Sequence, residues 1–373
     1  MGLKNQISLP IAAGVLFIGI PCSVSLVVQW IYGWPNKPGY RKYIEALKPR
    51  RVYCLTVAML EMMKYLQYGK LYFQWNSWYK NIANNSYCEK GILFGRHGNK
   101  LDLYYSPNMD QPDSSASPVI IFVYGGAWGS GKRSIYCLLA LQMAKELNAS
   151  VVCPDYSIYP KGTVLEMVQD IADSILWVRE NCHMFNLDKA SYKSESITLI
   201  GHSAGAHLCA LTTAFLAAGY ENLGIEVPKQ KELALSVKGV VGLSGVYHIK
   251  DHYLHEIWRG VEHVSTMRKA MGELENFDRY SPTLFIKALA EDNVESLPPF
   301  TLLHGTRDVI VPVQSSVKFS EALTSVSARV ALYLLPKVDH IQIVTDLMAP
   351  DRQHYHTVFG CIKQEFNKDA AKS

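Results

Sequence analysis

No two of the eight cysteines stand in a C-x-x-C pair, and none recur at a regular spacing. The usual signatures of a zinc site or a thioredoxin-like centre are therefore missing. The cysteines read as buried free thiols, which suits a reducing compartment. Charge is also sparse. Asp, Glu, Lys and Arg make up 19% of the chain, the net charge is only +4, and the basic residues are dispersed. Such a surface offers no basic footprint for nucleic acid. No internal repeat is present, and nothing calls for a cofactor or a metal ion. What remains is apolar: 49% of 373 residues are hydrophobic, ample for one large α/β domain with an N-terminal extension.

Leu9 to Tyr32 contains no charged residue. It is long enough to cross a bilayer as a helix, and Trp30, Tyr32 and Trp34 gather at its end as interfacial aromatics do. A cleavable signal peptide is the competing reading, but no small-x-small cleavage site follows. Only Lys4 precedes the run, whereas Lys37, Arg41, Lys42, Lys48, Arg50 and Arg51 follow it. The positive-inside rule then puts the following chain in the cytosol, at the endoplasmic reticulum or Golgi membrane. Val52 to Tyr72 is interrupted by Glu61, Lys64 and Lys70. It reads as an amphipathic helix, with a poor second span as the alternative that would reverse the orientation. Asn84 and Asn148 lie in sequons that matter only in a luminal domain. The expected organisation is an anchor over 1–35, an amphipathic linker over 36–90 and a catalytic domain over 91–373.

Within the third region, strand-like runs alternate with helical ones. Leu101–Tyr105, Val119–Tyr124, Ser150–Cys153, Ile197–Ile200, Lys238–Leu243, Phe300–His304 and Val330–Leu335 read as strands. Ser134–Leu147, Val164–Cys182, Ala204–Ala218 and Val313–Ser325 read as helices. This alternation predicts an α/β fold with a mostly parallel sheet covered on both faces, the first pair being antiparallel. The turn between that pair, Gln111 to Pro118, is rich in Ser, Pro and Asp.

Gly201-His202-Ser203-Ala204-Gly205 is a G-x-S-x-G motif between a strand and a helix. In that context the central serine sits on a sharp turn, its hydroxyl lifted clear of the sheet. A plain small-residue turn is the bland alternative. A serine hydroxyl is a weak nucleophile and needs a base, an orienting carboxylate and donors for the oxyanion. Asp308 lies in the loop after the strand Phe300–His304, and His340 follows the next strand, in the chain order Ser, Asp, His. His202, His207, His304, His354 and His356 read as structural or exposed. Gly126, Ala127 and Ala204 are the expected oxyanion donors, the first two from Tyr124-Gly125-Gly126-Ala127-Trp128 directly after a strand.

These residues together resemble the esterase/lipase branch of the α/β-hydrolase superfamily, which includes kynurenine formamidases and hormone-sensitive-lipase-like esterases. The strings GGAWGSG (125–131), PDYSIYPKG (154–162), IGHSAGAHL (200–208) and HGTRDVIVP (304–312) are most similar to isoprenylcysteine methylesterases. One departure is Tyr124, where many of the wider branch carry His. The resemblance implies an α/β-hydrolase fold, the triad Ser203, Asp308 and His340, and an oxyanion hole of Gly126, Ala127 and Ala204. It also implies hydrolysis of the methyl ester on a C-terminal prenylated cysteine, on a small amphiphile or a prenylated protein, at a membrane. An insertion at about 245–282 is expected to form a cap, and Trp128, Tyr247, Tyr253 and Trp258 are the expected substrate contacts. An aryl-formamidase, a general lipophilic-ester hydrolase and a non-catalytic scaffold of the same fold stay as alternatives.

Overall fold

The computed structural model describes residues 9–33, 39–107, 118–181 and 197–370. These form two compact units. One contains the N-terminal residues through Lys70 together with Tyr253–Lys269. The other contains Leu71–His252 and Ala270 onward.

The second unit is built on one eight-stranded sheet. The strands are β1 (Cys88–Phe94), β2 (Asn99–Tyr104), β3 (Val119–Val123), β4 (Ser150–Pro154), β5 (Ile197–His202), β6 (Val237–Leu243), β7 (Phe300–Gly305) and β8 (Val330–Leu335). Their order is β1-β2-β4-β3-β5-β6-β7-β8. β1 is antiparallel to β2 and β2 to β4; every other pair is parallel. The expected antiparallel contact of Leu101–Tyr105 is thus with β4, not with β3. Every residue of β3, β4, β5 and β7 is buried, as strands covered on both faces must be. Helices Cys137–Leu147, Val164–Glu180, Ala204–Ala218 and Gln314–Ser325 supply that cover. The turn at 111–117 lies outside the described residues.

β1 went unseen in the sequence. It carries Glu89 and Lys90 and is bulged at Gly91, whose φ is +76°. The bulge places the Gly91 N–H on the Asp102 carboxylate at 2.8 Å, so the strand edge is fixed by a side chain rather than by apolar alternation. The chain leaves β3 for β4 on one side and returns to β5 on the other. Neighbouring strands whose connections depart in opposite directions open a crevice at their C-terminal ends, and ligands bind there. The loops after β3 and β5 meet at that point.

In the first unit, helices Leu9–Tyr32, Tyr40–Ala46 and Pro49–Met63 pack together. Among the described residues no helix is long and apolar enough to cross a membrane, so the expected span over Leu9–Tyr32 is not supported. Tyr253–Lys269 was expected in a cap with its neighbours. It instead joins this helical unit through Arg51 to Glu262 at 2.7 Å and Arg259 to Glu61 at 3.0 Å.

Candidate active site

The elbow after β5 is shaped by what its glycines exclude. A Cβ on Gly205 would lie 2.0 Å from the Val123 carbonyl oxygen, and one on Gly201 2.5 Å from that of Gly205. With both absent, helix Ala204–Ala218 starts directly against the sheet. Ser203 takes the strain, with φ +54° and ψ −118°, and its N–H donates to the Leu243 oxygen at 2.9 Å. A polar hydroxyl is thereby presented at the top of the crevice.

His340, in the loop after β8, meets it. The Ser203 hydroxyl donates to His340 Nε2 at 3.0 Å, and His340 Nδ1–H donates to Asp308 Oδ2 at 2.7 Å. All three side chains are buried or nearly so. Burial alone would push the Asp308 carboxyl up. The charge of His340 and hydrogen bonds from His304 and His340 outweigh it and hold the group well below the usual carboxylate range. Asp308 Oδ1 also accepts the N–H groups of Ile310 and Val311, at 3.0 and 2.8 Å. An anion fixed at four points orients one imidazole tautomer, with Nε2 free to accept from the serine.

The other face of the crevice is the loop after β3. Gly125 lies against the elbow: a Cβ there would come 3.0 Å from Ser203 Cβ and 2.9 Å from the His202 oxygen. Gly126 has φ +140° and accepts from the N–H groups of Gly129 and Ser130. Ala127 and Trp128 follow at φ +50° and +60°. The hydroxyl of Tyr124, the departure noted in the sequence, donates to Asp155 at 3.1 Å. Asp155 is bound in turn by the Arg133 guanidinium and, at 2.9 Å, by the Arg133 N–H. Tyr156 donates its hydroxyl to the Tyr124 oxygen at 3.0 Å. Tyr124 is thus tied into a buried ionic network that also holds Asp102 and Tyr79.

The expected substrate contacts fare differently. Trp128 is 1% exposed and Tyr247 is equally enclosed, stacked on Phe319 at 4.3 Å. Neither ring has an open face, so burial does not favour direct contact with a ligand. Tyr253 and Trp258 belong to the helical unit, where Trp258 is exposed and stacks on His255. Two histidines that read as bystanders flank the serine instead. His202 Nε2–H donates to the His340 oxygen at 2.9 Å, and His207 joins Trp128 to Tyr280. Desolvation, with the charge of His340, lowers His202 to about 3, and desolvation lowers His207 to about 4, so both are neutral. Neither pairing is visible in sequence, since the partners lie 138, 79 and 73 residues away. The described cysteines are free thiols.

The sequence matches the BD-FAE family over residues 101–323. It is 34% identical over 298 residues to a protein of Arabidopsis thaliana named as a probable isoprenylcysteine alpha-carbonyl methylesterase, covering 79% of this chain and 63% of that one. A second Arabidopsis isoprenylcysteine alpha-carbonyl methylesterase is 33% identical over 302 residues, covering 79% and 62%. This chain belongs to the BD-FAE family. It aligns with less than two thirds of the length of these relatives. Among bacterial proteins, esterase LipC of Mycobacterium tuberculosis is 33% identical over 62% of this chain and 54% of its own. Among solved structures this chain's fold matches esterase B of Lactobacillus rhamnosis, with TM-score 0.62 and 17% identity over 84% of this chain and 96% of that one. An esterase of Rhizomucor miehei gives TM-score 0.58 and 22% identity, covering 76% and 84%. Both likenesses establish the α/β-hydrolase fold.

Proposed function

We propose that this chain is a serine carboxylesterase acting on amphiphilic esters, in first place the methyl ester of a C-terminal prenylated cysteine. The hydrogen-bonded line Ser203–His340–Asp308 carries the reading. Ser203 Oγ attacks the ester carbonyl carbon while His340 Nε2 takes its proton, and Asp308 stabilises the imidazolium that forms. Backbone N–H groups of Gly126, Ala127 and Ala204 receive the oxyanion. The intermediate collapses, His340 returns the proton to the leaving methoxide, and methanol departs. Water then attacks the acyl-enzyme with His340 again as base, releasing the carboxylate and restoring Ser203.

Membrane apposition belongs to the same proposal. In the first helix Phe17 is 84% and Trp30 68% exposed, whereas Ser25 and Gln29 are buried, with Ser25 bonded to the Ala46 oxygen. Apolar residues outside and small polar ones inside suit a lipid environment better than water. The charge asymmetry across Leu9–Tyr32 supports a cytosolic side for the catalytic unit, at the endoplasmic reticulum or Golgi. Protease protection in intact microsomes, or glycans on Asn84 or Asn148, would reverse that orientation.

The substrate test compares farnesylcysteine methyl ester, a short water-soluble ester and N-formylkynurenine on the purified chain. A buried prenyl chain contributes about 0.8 kcal/mol per CH₂-sized unit. The prenylated ester is expected to lead the short ester by ~100-fold or more in kcat/KM. Equal efficiency on both esters would return the assignment to a general esterase, and preference for N-formylkynurenine to an aryl-formamidase.

A further inference from the structure

Ala127 and Trp128 stand side by side in the left-handed region, which side chains disfavour. Two such residues in succession stay there only if something outside the loop holds them. Three contacts do. The Tyr159 N–H donates to the Trp128 oxygen at 2.8 Å. The Trp128 indole Nε1–H donates to His207 Nδ1 at 3.2 Å, and the two rings meet edge to face at 5.2 Å. His207 Nε2–H donates onward to the Tyr280 oxygen at 2.8 Å. Both ring nitrogens of His207 are used, and the residue is fully buried.

His207 is also one turn below the nucleophile. Its backbone N–H donates to the Ser203 oxygen at 3.1 Å. The same residue is therefore joined by main chain to the serine and by side chain to the loop expected to bind the oxyanion. We propose that His207 is a positioning residue that fixes the oxyanion loop relative to Ser203 through the indole of Trp128. This rests on the serine-hydrolase reading, and it gives Trp128 a role that its burial allows.

Two amide replacements separate the two ring nitrogens. In His207→Asn the side-chain oxygen stands near Nδ1 and can still accept from the indole. In His207→Gln the amide nitrogen stands near Nε2, keeping the bond to Tyr280 and losing the acceptor. The expected result on a short chromogenic ester is that His207→Gln lowers kcat and kcat/KM together by about 10-fold or more, with KM unchanged. Affinity for a trifluoromethyl ketone should fall by the same factor, and His207→Asn should restore most of it. Trp128→Phe should reproduce the Gln loss, and the double variant should be no worse than either single. Should His207→Gln not fold, Trp128→Phe alone reads the same loss. Wild-type kcat in folded His207→Gln and in Trp128→Phe, with only the melting temperature lowered, overturns the proposal. Fluorophosphonate labelling of wild-type Ser203 tests the underlying reading independently; if wild type neither labels nor turns over ester, both fall.

Discussion

The imidazole of His202 donates from Nε2 to the backbone oxygen of His340, 2.9 Å away, so the residue before the serine holds the loop that carries the imidazole facing it. The rings lie 4.9 Å apart, and a second positive charge there would oppose protonation of His340. Burial keeps His202 neutral and removes that conflict. His202→Phe retains a flat ring but leaves the buried His340 oxygen without its donor, a cost of about 1–3 kcal/mol. The expected outcome is a lower melting temperature and a kcat reduced by about 10-fold. An unchanged rate of fluorophosphonate labelling at Ser203 would show that the His340 loop stays in place without it.

Ser203→Ala should lower turnover by several orders of magnitude while leaving the fold intact, because members of a triad act as a unit. Asp308→Asn is the sharper experiment. It keeps the shape but offers His340 an amide where the carboxylate now accepts Nδ1–H at 2.7 Å. A loss of about 10⁴-fold in kcat is expected, the scale seen when a triad histidine is left in the wrong tautomer. Circular dichroism should be unchanged. Activity within a few-fold of wild type would move the orienting role away from Asp308.

The meeting of Ser203, His340 and Asp308 was legible because each follows a strand at once, and strand, turn and helix are local patterns. Ser203, Asp308 and His340 follow β5, β7 and β8. The long-range ties were not legible. Nothing near Glu262 in sequence indicates that it meets Arg51, and nothing near Asp155 indicates that it anchors Tyr124. β1 was missed because its polar residues and bulge hide the period-2 alternation. The helical placement of Tyr253–Lys269 escaped for the same reason as the ion pairs: it depends on partners about 200 residues away.

Arg133 is the hinge of the network behind the loop that follows β3. Its Nε donates to Asp102 at 2.7 Å and its other guanidinium face binds Asp155, while Tyr79 and Tyr124 bond the same two carboxylates. Removing the cation leaves Asp102 and Asp155 facing each other in a largely buried site. Arg133→Met should destabilise the protein by about 3–5 kcal/mol in urea unfolding. Tyr124→Phe removes one neutral donor only and should cost about 1 kcal/mol. Comparable losses from the two would mean that the cation is not what holds the network.

Acid should unfold this protein earlier than its carboxylates alone require. His202 and His207 titrate at about 3 and about 4 when folded. Unfolded, each takes up a proton near 6.5. Their contribution to stability is therefore complete above about pH 6.5 and declines as pH falls, because the unfolded chain binds protons the folded one refuses. The groups around His202 are His340, Asp308 and His304, and those around His207 are the Trp128 indole and the Tyr280 carbonyl. None supplies enough negative charge to offset desolvation. Between about pH 6 and pH 4 the two together should steepen the loss, to at most about 2.7 kcal/mol per pH unit near pH 5, where each approaches its limit of about 1.36. Urea titrations at pH steps across that window measure the slope directly. His207→Asn has no group to titrate there and should halve it. An undiminished slope in that variant would mean that His207 already carries a proton in the folded protein, which its single acceptor bond from Trp128 would not permit.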